Sequence, residues 1–494
     1  MNRLFRRRDE RGVALITVIM LSMIATLFVT TTMYVAFHDQ TSSAHNRSWG
    51  QALHVAESGV HEAIAYLQNS GGVAPSGTQS GTTTEGTWQY QVTASSRNKY
   101  QIDAVGTVGS SGSLQASRRL RVMMAPPLSF KYALFSESDV TTKNNNNICG
   151  DVYAATYVQV YNGDAVRAAT SPSCPSGGTM GSGNVTAATG YIAMANNSIV
   201  EGTAWSGGYD SSGYGINNSG SIGGDAKASC SDPTCGGDTT HTKYTITGGS
   251  VAGNATAWGS IGGTVSGTKT PNTYTGASES KPIPTFTFNS ANYPAATMHT
   301  YSFPSGYAAF NSYIAANSSS LSGTFYITGG SASYPVTLGG VTVSGDLTVI
   351  AAPDSSGNAA PIDASGGIGA SGTNDKVVVL ASWYTAPASG CSTNGGNPGD
   401  CAIGIKNNFQ PSSTSLTGGD NTAVLLYAPN GPVAFKNNAD FQGAVYANNI
   451  QVKNNMNVTY NSKIGQIVGF GATTLQITDW QECVPGAVTT TSCQ

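Results

Sequence analysis

From residue 13 to residue 37 the chain runs VALITVIMLSMIATLFVTTTMYVAF, 25 residues without a charge. About 20 apolar residues suffice for a helix to cross the hydrocarbon core of a bilayer. The segment is therefore expected to span a membrane. It is too long for the apolar region of a cleaved secretory signal, and no small-residue cleavage site follows it. A core helix seldom stays uncharged for this length directly behind an arginine cluster. Here Arg3, Arg6, Arg7, Arg8 and Arg11 stand against Asp9 and Glu10, a local balance of +3 that leaves −6 for the remainder of a chain with net charge −3. That asymmetry predicts a single pass with a cytoplasmic N-terminus and an exported C-terminal part. Thr30, Thr31 and Thr32 can bond back to their own backbone and need not break the helix.

The pattern changes after residue 38. Leu53, Ala56, Val60, Ile64 and Leu67 recur at intervals of three or four, so the helix is expected to continue as an amphipathic one. A Ser/Gly/Thr linker follows at residues 70–85. Alternating residues then mark three strands: Trp88, Tyr90 and Val92; Tyr100, Ile102 and Ala104; Leu120 and Val122. Helix and strands together predict a small α+β head over residues 38–126.

The order of basic leader, Gly12, Val13-Ala14-Leu15-Ile16, apolar helix and Ala56-Glu57-Ser58-Gly59 resembles the N-terminal domain of PilX-type minor pilins. The resemblance covers roughly residues 5–70. It implies a leader of residues 1–12, cleavage by a prepilin peptidase after Gly12, and methylation of the new N-terminus at Val13. It also implies other pilins or pseudopilins and the pilus assembly machinery as partners, besides membrane lipid. The fifth position of the mature chain is Thr17. Major pilins carry Glu there, whereas minor pilins and tip pseudopilins often lack it. The departure argues against a bulk pilus subunit more than against the family.

All eight cysteines, Cys149, Cys174, Cys230, Cys235, Cys391, Cys401, Cys483 and Cys493, lie beyond the apolar segment, an even number in an exported context that points to disulfides. Nearest-neighbour pairing joins them in sequence order, although eight cysteines allow 105 connectivities. Zinc ligation calls for close pairs that repeat, and Cys230 to Cys235 has no second pair near it.

The long remainder, residues 127–482, is poor in helix formers. Across the whole chain only 10% of residues are charged and 61 are Gly, whereas here Val, Ile, Tyr and Thr recur in runs of three to five and favour strands. A short motif recurs at Lys143-Asn144-Asn145, Lys406-Asn407-Asn408, Lys436-Asn437-Asn438 and Lys453-Asn454-Asn455, each followed by an apolar residue: Ile148, Phe409, Phe441 and Val458. Asn tolerates the left-handed conformation of sharp corners and can bond along a stack. Strands this short, separated by Gly or Asn pairs, predict a parallel and right-handed β-helix over a sandwich. The stretch 425–460 also resembles the β-helical domains often joined to PilX-type N-termini. The head and the segment around Trp480 are candidate caps for the solenoid ends, which need covering. Residues 275–325, with four prolines and a helix near 307–315, interrupt the pattern as an insertion packed on the stack or as a hinge between two solenoid segments. Residues 483–494 are left as a disulfide-bearing tail.

Little else carries chemistry. Asp363, Asp420 and Asp440 are separated, and the paired carboxylates of a glycosidase are not legible in the spacing. His38, His45, His54 and His61 belong to the helix; His241 and His299 stand alone. Gly-x-Gly matches are uninformative in so Gly-rich a chain. Trp205, Tyr209, Tyr214, Trp258 and Trp383 are read as corner and core packing, with stacking on sugar rings as the alternative. The mildly negative net charge gives no reason to expect nucleic acid. The resulting expectation is a non-enzymatic minor-pilin-like protein in the inner (cytoplasmic) membrane, able to enter a pilus or reach the cell surface. It needs no cofactor or metal, and surface glycans are conceivable ligands. The competing expectation is an extracellular carbohydrate-active β-helix enzyme on a pilin-like anchor.

Overall fold

The computed structural model describes residues 6–70, 74–96, 99–109, 115–125, 131–174, 181–230, 232–276, 280–284, 286, 288, 295–366, 368–371, 376–386, 391, 400–406, 422–436, 440–466 and 476–483. The chain forms two compact units, one of residues 1–125 with 473–494 and one of residues 126–472.

The first unit is organised by helix α1, Arg6–Asn69, about 96 Å long at 1.5 Å per residue. Residues 14–47 of it are exposed. Its C-terminal half buries Ala52, Val55, Ala56, Val60, Ala63 and Leu67 against an antiparallel sheet of β1 (Thr78–Thr82), β2 (Thr87–Ser96), β3 (Lys99–Val108) and β4 (Ala116–Ala125). The sheet answers with Tyr90, Val92, Tyr100, Ile102, Ala104, Leu120, Val122 and Met124. Helix and sheet touch because Gly106 has no side chain: a Cβ there would lie 2.2 Å from the Ala52 carbonyl oxygen. Beneath the contact Arg119 donates to Asp103 Oδ1 at 2.9 Å, and Arg121 Nε reaches the same oxygen at 3.0 Å. A buried charge of this kind survives only when partnered.

A fifth strand completes this sheet. Gln476–Cys483 pairs antiparallel with β4, with Trp480 opposite Val122. Residues 476–482, expected within a solenoid reaching residue 482, thus belong to the sheet of the first unit. The edge of β4 supplied an open hydrogen-bond ladder, and the returning chain filled it.

The second unit is a stack of parallel strands, a β-helix-like solenoid. Its coils do not follow chain order. Starting at Leu134–Ser136, successive coils pair through Val152–Ala154, Val185–Ala187, Ala204–Ser206, Ala226–Ala228 and Ala255–Ala257 to Lys269–Thr270. The chain then goes to the opposite end, where Met298–Ser302 pairs with Leu321–Thr328. From there it coils back through Val341–Ala352, Val377–Ser382 and Ala423–Lys436 to Asp440–Lys453. That last strand pairs with Leu134–Ser136 and Asp139–Lys143, where the unit began. First and last coils meet in the middle of the stack.

This path redefines residues 275–325. The described residues between 275 and 288 form a return strap. Thr275 N donates to Ser229 Oγ at 3.2 Å, Lys281 N to the Tyr153 hydroxyl at 2.6 Å, and Ile283 N to Glu137 at 2.9 Å; Phe286 then packs on Tyr427 and Trp383, and Phe288 on Tyr326. Residues 298–325 are not an insertion at all, because they form the outermost coil. The expected helix is α2, Tyr307–Asn317, whose Phe310 and Ile314 are buried, Phe310 against Tyr301, Phe303 and Phe325.

The strap covers the two ends of a buried aromatic row, at Tyr153 and Tyr427, while Tyr132 lies against Phe135 and its N–H donates to the Tyr446 hydroxyl. Tyr427, Tyr446, Phe135 and Tyr153 occupy equivalent positions on successive coils, and Phe135 stacks on Tyr446 at 4.9 Å and on Tyr153 at 4.6 Å. All four are buried. Burial pushes the Tyr427 phenol up to about 12.

Candidate recognition site on the solenoid

The apolar half of α1 is a candidate membrane span by length and composition, with mean hydropathy 2.2 and no burial inside the protein. Leu21, Phe28 and Tyr34 are among its exposed side chains. Thr30 and Thr32 return their hydroxyls to the carbonyls of Thr26 and Phe28, each at 2.8 Å, which keeps the threonine run helical. Thr17 is on the exposed surface of the helix. Gly12 and Val13 belong to the helix by backbone, while their side chains, like residues 1–5, lie outside the described residues.

The Lys-Asn motif becomes a physical stack. Lys406 is in register with Lys436, Lys436 with Lys453, and Lys453 with Lys143, so four lysines occupy one corner on four consecutive coils. The apolar residue of each repeat stacks too: Phe441 pairs with Val458, and Val458 with Ile148, all turned into the core. Asn407, Asn408, Phe409, Asn437 and Asn438 lie outside the described residues. At the corner Asn144, Asn145, Asn454 and Asn455 have φ of 56°, 58°, 49° and 53°, a left-handed pair that Asn tolerates better than other side chains. Asn454 N donates to the Lys143 carbonyl at 2.7 Å, Asn455 N to the Asn144 carbonyl at 3.0 Å, and Asn144 Nδ2 to Asn454 Oδ1 at 3.2 Å.

Below this surface Asn146 is buried. It donates to the Lys143 carbonyl at 2.8 Å and to Asp164 Oδ1 at 3.0 Å, and accepts from Met456 N at 3.0 Å. Asp164 also accepts from the Thr142 hydroxyl and from Tyr161 N. Lys143 is exposed, and Lys436 and Lys453 are half-buried. Partial burial lowers the Lys453 ammonium, and the neighbouring charges of Lys143 and Lys436 lower it further.

Around the next corner a shallow cleft is lined by Asn147, Ser173, Asp440 and Asn457, among others. Asp440 accepts from Asn457 Nδ2 at 2.6 Å. Asp440 is the one carboxylate lining it among the described residues, whereas acid–base glycoside cleavage uses two. Asp363 closes a turn by accepting from Ser365 N at 3.0 Å, and Asp420 lies outside the described residues. His54 meets Glu57 at 3.0 Å, His241 lies against Trp258, and His299 against Tyr313 and Phe325. Among the described residues, no group of three His, Cys, Asp or Glu is close enough to hold a metal.

Of the aromatics weighed as sugar platforms, Trp383 packs under the strap, and Trp258 donates Nε1 to the Asp238 carbonyl at 3.0 Å. Trp205 lies under Lys227, and Tyr214 is half-buried. Tyr209 is exposed, with the Lys243 ammonium 4.9 Å above its ring.

Three disulfides join Cys149 to Cys174, Cys230 to Cys235 and Cys391 to Cys401. The first bridge ties Cys149, in a strand of the stack, to Cys174 across three further strands of the stack. Cys483 is also disulfide-bonded, and Cys493 lies outside the described residues. Periodicity could not have disclosed the strap, the buried Asp103–Arg119 pair or the meeting of the first and last coils, since each depends on contacts remote in sequence. The repeated Lys-Asn-Asn was the one available signal for the corner ladder. No protein-family model, curated protein or solved structure matches this chain.

Proposed function

We propose that the chain is a non-enzymatic, minor-pilin-like surface protein that uses α1 as membrane anchor and assembly element and displays the solenoid outside the cell. The observation that carries this reading is the continuity of α1. One unbroken helix is bare and apolar in its first half, and its second half is packed on a small antiparallel sheet. A bare apolar surface of this length needs lipid or the equivalent helices of neighbouring subunits to cover it. The arginine-rich start supports a cytoplasmic N-terminus, and disulfides support an exported, oxidising compartment for the rest. Right-handed coiling of the solenoid and membership of the PilX-type minor pilins are parts of the same proposal. Thr17 in place of Glu favours a low-copy subunit over a bulk filament subunit.

Mass mapping of the mature N-terminus tests it. In cells with a prepilin peptidase the protein should begin at methylated Val13, and in cells lacking the enzyme it should keep residues 1–12. An unprocessed N-terminus in both strains leaves a plain signal-anchor protein. For the lack of enzymatic activity, the test is glycan turnover by the full chain. Robust turnover abolished by Asp440→Asn would overturn that part of the reading.

A further inference from the structure

We infer that the cleft between Asp440, Gln442, Asn457, Thr459 and Ser173 is a binding site for one neutral sugar residue of a glycan. Three segments remote in sequence build it. Asp440 and Gln442 pair in register with Asn457 and Thr459 on the next coil, and these pair in turn with Asn147 and Cys149. Phe441, Val458 and Ile148, lying between them, are buried in the core, and in a strand the residues on either side of an inward one point to the other face. Neighbouring coils are about 4.8 Å apart and alternate residues of a strand about 6.6 Å apart, a grid on the scale of one sugar ring. Residues 172–174 form a lip along the cleft, and two ties fix it. Asn147 Nδ2 donates to the Ser173 carbonyl at 3.1 Å, and the Cys149–Cys174 disulfide holds the end of the lip. Asn147 is itself held by Arg167 Nε at 2.8 Å, and Arg167 by Glu201 at 2.7 Å. A site ordered before its ligand arrives loses less entropy on binding.

The cleft measures about 270 Å3, just below the roughly 300–1,000 Å3 of pockets that enclose a drug-sized molecule. It has room for one sugar residue rather than a longer stretch of chain. Its polar groups are open to a ligand. Among the described residues, the Gln442 amide, Asn457 Oδ1 and the hydroxyls of Thr459 and Ser173 make no hydrogen bond within the protein, and Asp440 accepts only from Asn457 Nδ2, at 2.6 Å. Asp440 and Gln442 are half-buried, and Asn457 and Ser173 are exposed. A carboxylate accepts only, whereas amides and hydroxyls both donate and accept. That mixture matches sugar hydroxyls, each of which is donor and acceptor, and the charge-assisted bond to Asp440 is the strong one. Pro172 and Cys174 add apolar surface for the C–H face of the ring. The lone carboxylate repels an acidic sugar, and it offers little to calcium, which takes about 6–8 oxygen ligands. This inference goes beyond the anchor-and-display reading and rests on it only for where the glycan is met. Binding is measured on the purified chain, so its failure would leave that reading untouched.

The experiment uses the full-length chain in a zwitterionic detergent without a sugar headgroup. The probes are the methyl glycosides of glucose, galactose, mannose and N-acetylglucosamine, with galacturonic acid and calcium chloride as counter-probes, read by saturation-transfer NMR and calorimetric titration. At least one neutral glycoside should bind saturably, and which one binds tightest assigns the hydroxyl configuration that the cleft reads. Asp440→Asn, which removes the charge from the strong bond, should weaken it about 10- to 100-fold. Gln442→Ala should weaken it about 2- to 10-fold at unchanged melting temperature, because that amide has no partner in the protein to lose. Lys227→Gln, on the solenoid but outside the cleft, should bind as the parent does. If Asp440→Asn does not fold, Gln442→Ala and Ser173→Ala still decide the matter, each weakening binding alone and more so together. Absence of saturable binding by every neutral glycoside, unchanged affinity in the cleft variants, or preference for galacturonic acid would each overturn the inference. So would calcium binding that Asp440→Asn abolishes, which would make the cleft a metal site instead.

Discussion

Asn144 and Asn454, 310 residues apart in the chain, are joined by a side-chain hydrogen bond of 3.2 Å at the seam where the first and last coils of the solenoid stack. This contact marks the unusual path of the unit. The unit begins in the middle of the stack, winds to one end, returns as the strap and winds back from the other end.

The seam should be the place where a small polar change costs most. Asn146→Ala removes the side-chain hydrogen bonds to Met456 N, the Lys143 carbonyl and Asp164 Oδ1, which leaves buried polar groups of the seam short of a partner atom. An unsatisfied buried group costs about 1–3 kcal/mol, so a loss of about 2–4 kcal/mol is expected. Urea denaturation of the full chain, followed by the signal of the solenoid, measures it.

The strap should be held chiefly by Phe286, which packs on Trp383 and Tyr427. Phe286→Ala is expected to cost about 3 kcal/mol, the lower end for a buried aromatic truncation. It should also increase proteolytic cleavage within residues 275–297. Limited proteolysis followed by mass spectrometry reads this directly, and unchanged cleavage would show that the strap is held by other contacts.

Alkaline pH should destabilise the solenoid in a defined window. Burial raises the phenols of Tyr157, Tyr427 and Tyr460 to about 12 from an ordinary value of 10.0. The folded state therefore holds protons that the unfolded state releases. The stability associated with these groups is fully present below pH 10 and is lost as pH rises toward 12. Ultraviolet titration of tyrosinate should show a late-titrating fraction, and melting temperature should fall across the same interval.

Gly106→Val should separate α1 from its sheet. A Cβ at Gly106 would meet the Ala52 carbonyl oxygen at 2.2 Å and the Ala56 nitrogen at 2.3 Å, both backbone atoms of a packed helix. Overpacking of this kind costs about 1–3 kcal/mol or more. Hydrogen exchange should show faster exchange in residues 50–67 with the solenoid unaffected.

Much of the first unit was legible in sequence because its signals are periodic. Ala56, Val60 and Leu67 were expected on the buried face of the helix and are buried there, with Leu53 and Ile64 packed at its margin. The three strands around Tyr90, Ile102 and Val122 formed as alternation predicts. The fifth strand, around Trp480, was missed because nothing near it in sequence names β4 as its partner. For the solenoid, the Lys-Asn-Asn repeats and short strands indicated coils but not their order. Asp440 illustrates the limit for the candidate sites: its type and position were visible, whereas its partner Asn457 and its cleft depend on register between coils.

What the sequence determined by itself was the set of local choices: a long uncharged apolar helix, short β-prone runs, and Asn at corners that require positive φ. These follow from side-chain chemistry within a few residues. Tertiary structure alone decided the coil order, the cover over Tyr427, Tyr446, Phe135 and Tyr153, and the alignment of Lys406, Lys436, Lys453 and Lys143. Any coil with an apolar interior and open edges can stack on several others. The stack is selected only when backbone ladders, stacked side chains and the strap are satisfied together.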